Sequence, residues 1–187
     1  MQLNASLSEY FQQAITRALR NQGVDTTEVV EFYLVRLLLD FARTPPDDEA
    51  LAIKMCEGLQ ALPGPRAQKL RQVGDTSLFV SGFFPDSLNR SMVDVDYYIG
   101  MGEIAYGHLS RMLRPKAGAL HDVFLELSDK FERFVRVLSE VSQDADDPTG
   151  SSVSVLRLYE KYLKTGSRTV LEKLRRRGLL VERGTVH

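Results

Sequence analysis

Seven apolar residues spaced alternately four and three positions apart constrain this chain more than any other feature: Leu120, Phe124, Leu127, Phe131, Phe134, Leu138 and Val141. Three heptads of that pattern, with Glu, Asp, Lys and Arg between them, draw one apolar stripe along a helix; a strand would need a period of two. A stripe this long has to be buried, either in the core of a bundle or across a two-fold dimer seam.

The rest of the chain reads the same way. Ser6 and Glu9 form a capping-box pattern, after which Leu7, Tyr10, Phe11, Ala14, Ile15, Ala18 and Leu19 follow helical spacing until Gly23. Asp25 and Glu28 repeat the cap, and the stretch from Val29 to Phe41 is apolar nearly all round, which predicts a helix at the centre of the bundle. Pro45 and Pro46 end it, and Asp47 and Asp48 open a third helix running to about Leu62, before Pro63 and Pro65. From Arg66 the apolar pattern resumes and reaches a break at Ser81, Gly82 and Pro85; LFVSGFF is kept helical because no partner strand exists. A further helix spans about Ser91 to Leu113. It contains Gly100, Gly102 and Gly107, each costing about 1 kcal/mol relative to Ala, so Gly100 and Gly107 are expected to admit a neighbouring helix.

The fold class that follows is all-α. A single helical bundle of about six main helices occupies residues 1–143, an acidic polar linker or loop 144–152, and a short basic two-helix unit 153–187, packed on the body. At 187 residues, 43% hydrophobic and 26% charged, the chain is sized for one real core. The N-terminus has no basic patch followed by an apolar run, and no stretch is apolar enough to span a bilayer, so a cytoplasmic protein is expected. The single cysteine, Cys56, has no disulfide partner and is read as a small core hydrophobe. Net charge is −1, but from Ser151 onward nine Lys/Arg face three Asp/Glu, a surplus of six positive charges that leaves the first 150 residues at −7.

Three places invite a chemical reading. On the glycine-bearing helix, His108 shares a stripe with Tyr97 and Met101, the setting in which a haem-binding or other small-molecule pocket would present an imidazole; the plainer reading is a hydrogen-bonded core histidine. Asp96 and Glu103 share the opposite face, without the Glu-x-x-His pairs of a di-metal bundle, so no metal site is assigned. Asp75 is a carboxylate inside an otherwise apolar helix, expected to accept hydrogen bonds at a helix irregularity near Gly74. Arg175, Arg176 and Arg177 follow a helix-turn-helix-like pair and are the candidates for nucleic-acid or acidic-partner binding, although Tyr162 stands where such a motif needs a very small residue. No nucleophile, phosphate-loop or metalloprotease signature is present, so no catalytic residue and no cofactor is assigned.

EFYLVRLLLDFART, together with LRQVGDTSLFVSGFFPDSLNRSMVDVDYYIGMGEIAYGHLS, resembles a family of bacterial all-helical proteins, over about residues 25–180. The resemblance implies a bacterial, cytoplasmic origin and carries no activity, cofactor or partner. The expected function is a non-enzymatic protein-interaction or regulatory module that works through helix faces. Its expected partner is another protein, with a homodimer favoured and a membrane excluded. A ligand pocket around His108 is the alternative, and nucleic-acid binding through the basic C-terminus the third reading.

Overall fold

A computed structural model describes residues 2–44, 46, 49–84, 94–113 and 118–143. All of their regular structure is helical: α1 (Gln2–Asn21), α2 (Glu28–Arg43), α3 (Leu51–Gln60), α4 (Pro63–Phe83), α5 (Val95–Leu113), α6 (Ala119–Asp129) and α7 (Phe131–Gln143). The linker at 144–152 and the basic unit at 153–187 lie outside the described residues. Among the described residues no helix is long and apolar enough to cross a membrane.

The heptad stripe is buried within one chain. Phe124, Leu127, Phe131, Phe134, Leu138 and Val141 are all in the core, and only Leu120, at the start, stands exposed. The stripe is carried by two helices rather than one, because Lys130 leaves helical geometry between α6 and α7 at φ −111°, ψ 18°. Its ammonium is held there by the Asp25 carbonyl at 2.6 Å and the Glu126 carboxylate at 2.9 Å.

The centre of the bundle is α4, not α2. Leu70, Val73, Leu78, Phe79 and Phe83 bury its apolar side chains, and Gly74, Ser77, Ser81 and Gly82 are buried as well, so its C-terminal half touches protein on nearly all sides. It packs against α5, α3, α7 and α2. In contrast α2 is amphipathic: Val30, Leu34, Val35, Leu37, Leu38 and Ala42 face inward, while Val29 and Phe32 are exposed.

The expected break at Ser81 and Gly82 is absent. Ser81 Oγ donates back to the Ser77 carbonyl at 2.7 Å, which satisfies the hydroxyl inside the helix, and Gly82 removes a side chain that would meet Leu138 at 2.5 Å. Gly82 is small because α7 comes close, not because the helix ends. At Gly23 the expected stop holds, with φ 60° in the left-handed region and Val24 N donating to the Leu19 carbonyl. The cap of α2 is Thr27, whose Oγ1 accepts from Val30 N at 3.3 Å, rather than Asp25.

Candidate functional site

Asp75 is where three helices converge. From α4 its Oδ1 accepts the Tyr33 hydroxyl of α2 at 2.5 Å and the Tyr106 hydroxyl of α5 at 2.7 Å, while Oδ2 accepts Arg71 Nε at 3.3 Å. Arg71 also donates to the Tyr33 hydroxyl at 3.2 Å and lies over the Tyr33 ring, 5.3 Å from its centroid. The approach of Tyr106 depends on Gly74: a Cβ there would sit 2.4 Å from the tyrosine ring. α4 runs through this point without irregularity, so the expected distortion near Gly74 is not found. The glycine is there to admit a ring.

Burial drives the electrostatics of the cluster. It pushes the Asp75 carboxyl above the usual range, against the hydrogen bonds from Tyr33 and Tyr106 and the charge of Arg71, which pull it down. Tyr33 and Tyr106 are raised well above the ordinary phenol value, first by burial and then by the Asp75 charge. Both therefore remain donors. For Arg71, burial works against the charge, but its interactions with Tyr33 and Asp75 outweigh it and hold the guanidinium protonated.

The other edge of Asp75, whose side chain is 18% exposed, opens into a cleft of about 190 Å³ lined by Phe41, Thr44, Pro46, Lys54, Gln72 and Thr76. Phe41 forms an apolar wall, stacked on Phe79 at 4.5 Å. Lys54 comes from α3, is only 8% exposed and faces Glu49 at 3.9 Å. The cleft thus brings a carboxylate, an ammonium, an amide and two hydroxyls together beside one apolar wall.

The stripe formed by Tyr97, Met101 and His108 lies at the side of α5. Tyr97 is exposed, Met101 and His108 are half-buried, and Ile104 between them is exposed. The core face of α5 is instead Gly102, Ala105, Tyr106 and Leu109. His108 is held below the usual imidazole value by partial burial and by the nearby charges of Arg111 and Arg66. Asp96 is exposed and Glu103 half-buried, and among the described residues no group of three His, Cys, Asp or Glu is placed to hold a metal. Gly107 does meet its neighbour, with Ser128 Oγ 3.1 Å from where a Cβ would be, but a Cβ at Gly100 would meet no described atom beyond its own helix backbone within 4 Å. The close approach falls on Gly102, against Phe131. Arg175, Arg176 and Arg177 lie outside the described residues.

A second feature is the outer face of α3. This helix leans mainly on α4 and turns Leu51, Lys54, Met55 and Gly58 inward. Its outward positions are Ala52, Ile53, Cys56 and Leu59, all exposed, with Glu57 and Gln60 between them. Ile53 is 53% exposed, Leu59 41%, and Leu62 just beyond the helix 77%. Cys56 is thus a surface thiol and not a core residue, because the inward stripe of α3 runs through positions 54, 55 and 58 and passes it by.

Compared with known proteins, the chain matches no family model, no curated protein and no solved structure.

Proposed function

We propose that the protein is a non-enzymatic interaction module and that the outer face of α3 is its docking surface. The observation that carries this reading is the pair of exposed apolar side chains Ile53 and Leu59 on a helix whose opposite side already fills the core, with the exposed Leu62 just beyond its end. Single exposed apolar residues are ordinary, but several on one helix face mark a contact surface. The face is about 15 Å long, the span of a ten-residue helix.

Its occupant is a basic, amphipathic helix of another protein. A helix laid along α3 would present apolar side chains at helical spacing to Ile53 and Leu59. The surroundings supply the charge preference: Glu57 lies on this side of α3, 46% exposed and paired with Lys69, and the first 150 residues carry −7. A bacterial cytoplasmic location suits an exposed thiol at Cys56, since thiols stay reduced there.

The reading is tested by placing a photo-crosslinking amino acid at position 53, and at position 136 as a control on the exposed face of α7, in the full chain in cells. The expected result is a discrete adduct from position 53 whose crosslinked peptide is a basic amphipathic segment, lost when Leu59→Glu is added. Equal labelling from both positions, or an adduct only with a second copy of this chain, overturns it.

A further inference from the structure

A second stripe with heptad spacing runs along the outside of α5. Tyr97, Met101, Ile104, His108 and Arg111 recur at alternating steps of four and three, which lines them up on one side of a helix. That side faces away from the core: Gly102, Ala105, Tyr106 and Leu109 make the buried face, and α4 and α6 are the main helices packed on α5. Ile104, at the middle of the stripe, is 51% exposed, and Tyr97 and Arg111 at its ends are exposed as well. Beside them, a Cβ at Gly100 would meet no described atom beyond its own helix backbone, so another backbone can come close there. The stripe of α6 and α7 is buried within the chain, which leaves this one as the long helical stripe facing outward.

The charges along α5 select its occupant. Asp94 and Asp96, both exposed, stand at the N-terminal end, and Arg111 at the C-terminal end, where Arg66 is close enough to act on His108. Partial burial and these two guanidinium groups keep His108 below the usual imidazole value, so at neutral pH it is uncharged. A helix that matches this order antiparallel needs an acidic start, an apolar middle and a basic end. α5 is itself such a helix. Ile104 is the central residue of its 19, so a two-fold axis through Ile104 sets Tyr97 against Arg111 of a second copy, and the acidic end against the basic one. A guanidinium over a phenol ring is a favourable contact in its own right.

We propose that the protein forms a two-fold homodimer through the outer stripe of α5, with the two copies of the helix packed antiparallel about Ile104. The seam lies on a different helix from the docking face of α3, and it is tested without any partner protein.

Sedimentation of the full chain over a concentration series should show a monomer–dimer equilibrium. Ile104→Glu should raise its dissociation constant by about tenfold or more with helical circular dichroism unchanged, because two apolar side chains on the axis give way to two like charges. Cysteine pairing in a Cys56→Ser background reads the register. Residues on a two-fold axis meet their own copies, so Ile104→Cys should give a disulfide-linked dimer under mild oxidation. Tyr97→Cys alone should not, whereas a mixture of Tyr97→Cys and Arg111→Cys chains should crosslink. A chain that stays monomeric up to about 1 mM, the range of a very weak contact, overturns the proposal; that is the result expected if residues 153–187 or another protein cover this face. A dimer unmoved by Ile104→Glu, or Tyr97→Cys crosslinking to itself as readily as Ile104→Cys, overturns it too.

Discussion

Asp75 shows what a single polar residue does inside an apolar helix. Its two tyrosine partners stand 42 and 31 residues away in sequence, on α2 and α5. The sequence marks Asp75 as out of place, but no local spacing names its partners, because α2, α4 and α5 meet only once the bundle is packed. Tyr106→Phe removes one of these bonds and leaves the carboxylate short of a donor. It should lower stability by about 1–2 kcal/mol in urea unfolding. The pH dependence has a definite sign. Because burial raises the folded-state value of Asp75, the folded chain binds more protons than the unfolded one between the ordinary carboxylate value and the raised one. Stability contributed at this site therefore falls as pH rises through that window and is level above it. Glu126 runs the other way: burial pushes it up, but the hydrogen bond and charge of Lys130, with smaller help from threonine hydroxyls, outweigh burial and the net shift is downward. Its contribution is complete above the ordinary value and is lost as pH falls through the folded one. Urea midpoints measured from about pH 3 to 8 should show the decline vanish in Asp75→Asn and the acid-side loss shrink in Glu126→Gln.

At the scale of elements, the helices were legible where apolar spacing and punctuation agree. The stripe from Phe124 to Val141 and the stop at Gly23 are such places. What the sequence does not show is which small residue faces which neighbour. Ser81 and Gly82 look like a terminus, yet they lie inside α4: the Ser81 hydroxyl is satisfied by the Ser77 carbonyl, and Leu138 occupies the space a side chain at Gly82 would need. Gly100 and Gly102 look alike in the sequence and differ in the fold. Gly102→Ala puts a methyl 2.1 Å from the buried Phe131 ring, and the overpacking should cost about 1–3 kcal/mol despite the gain in helix propensity. Gly100→Ala meets no described atom within 4 Å and should stabilise by up to about 1 kcal/mol. Thermal unfolding of the two variants side by side reads the difference in sign.

For the whole molecule, the all-helical class follows from the sequence because every long apolar pattern in it has helical period. The centre of the bundle does not. The run from Val29 to Phe41 is the more apolar by composition, but α4 is the helix that others surround, its Gly and Ser residues letting α5 and α7 come close on either side. A short helix, α3, is left at the margin with apolar residues on both of its faces. That arrangement underlies the functional reading, which requires the outer face to be dispensable for folding. The direct measurement is the urea unfolding free energy and helical circular dichroism of the full chain carrying Ile53→Glu and Leu59→Glu together. Unchanged helicity, with stability within about 0.5 kcal/mol per substitution as for exposed sites, is the predicted result. A loss of several kcal/mol, on the scale of a disrupted core, would mean that the chain covers this face itself, and would contradict its assignment as a docking surface.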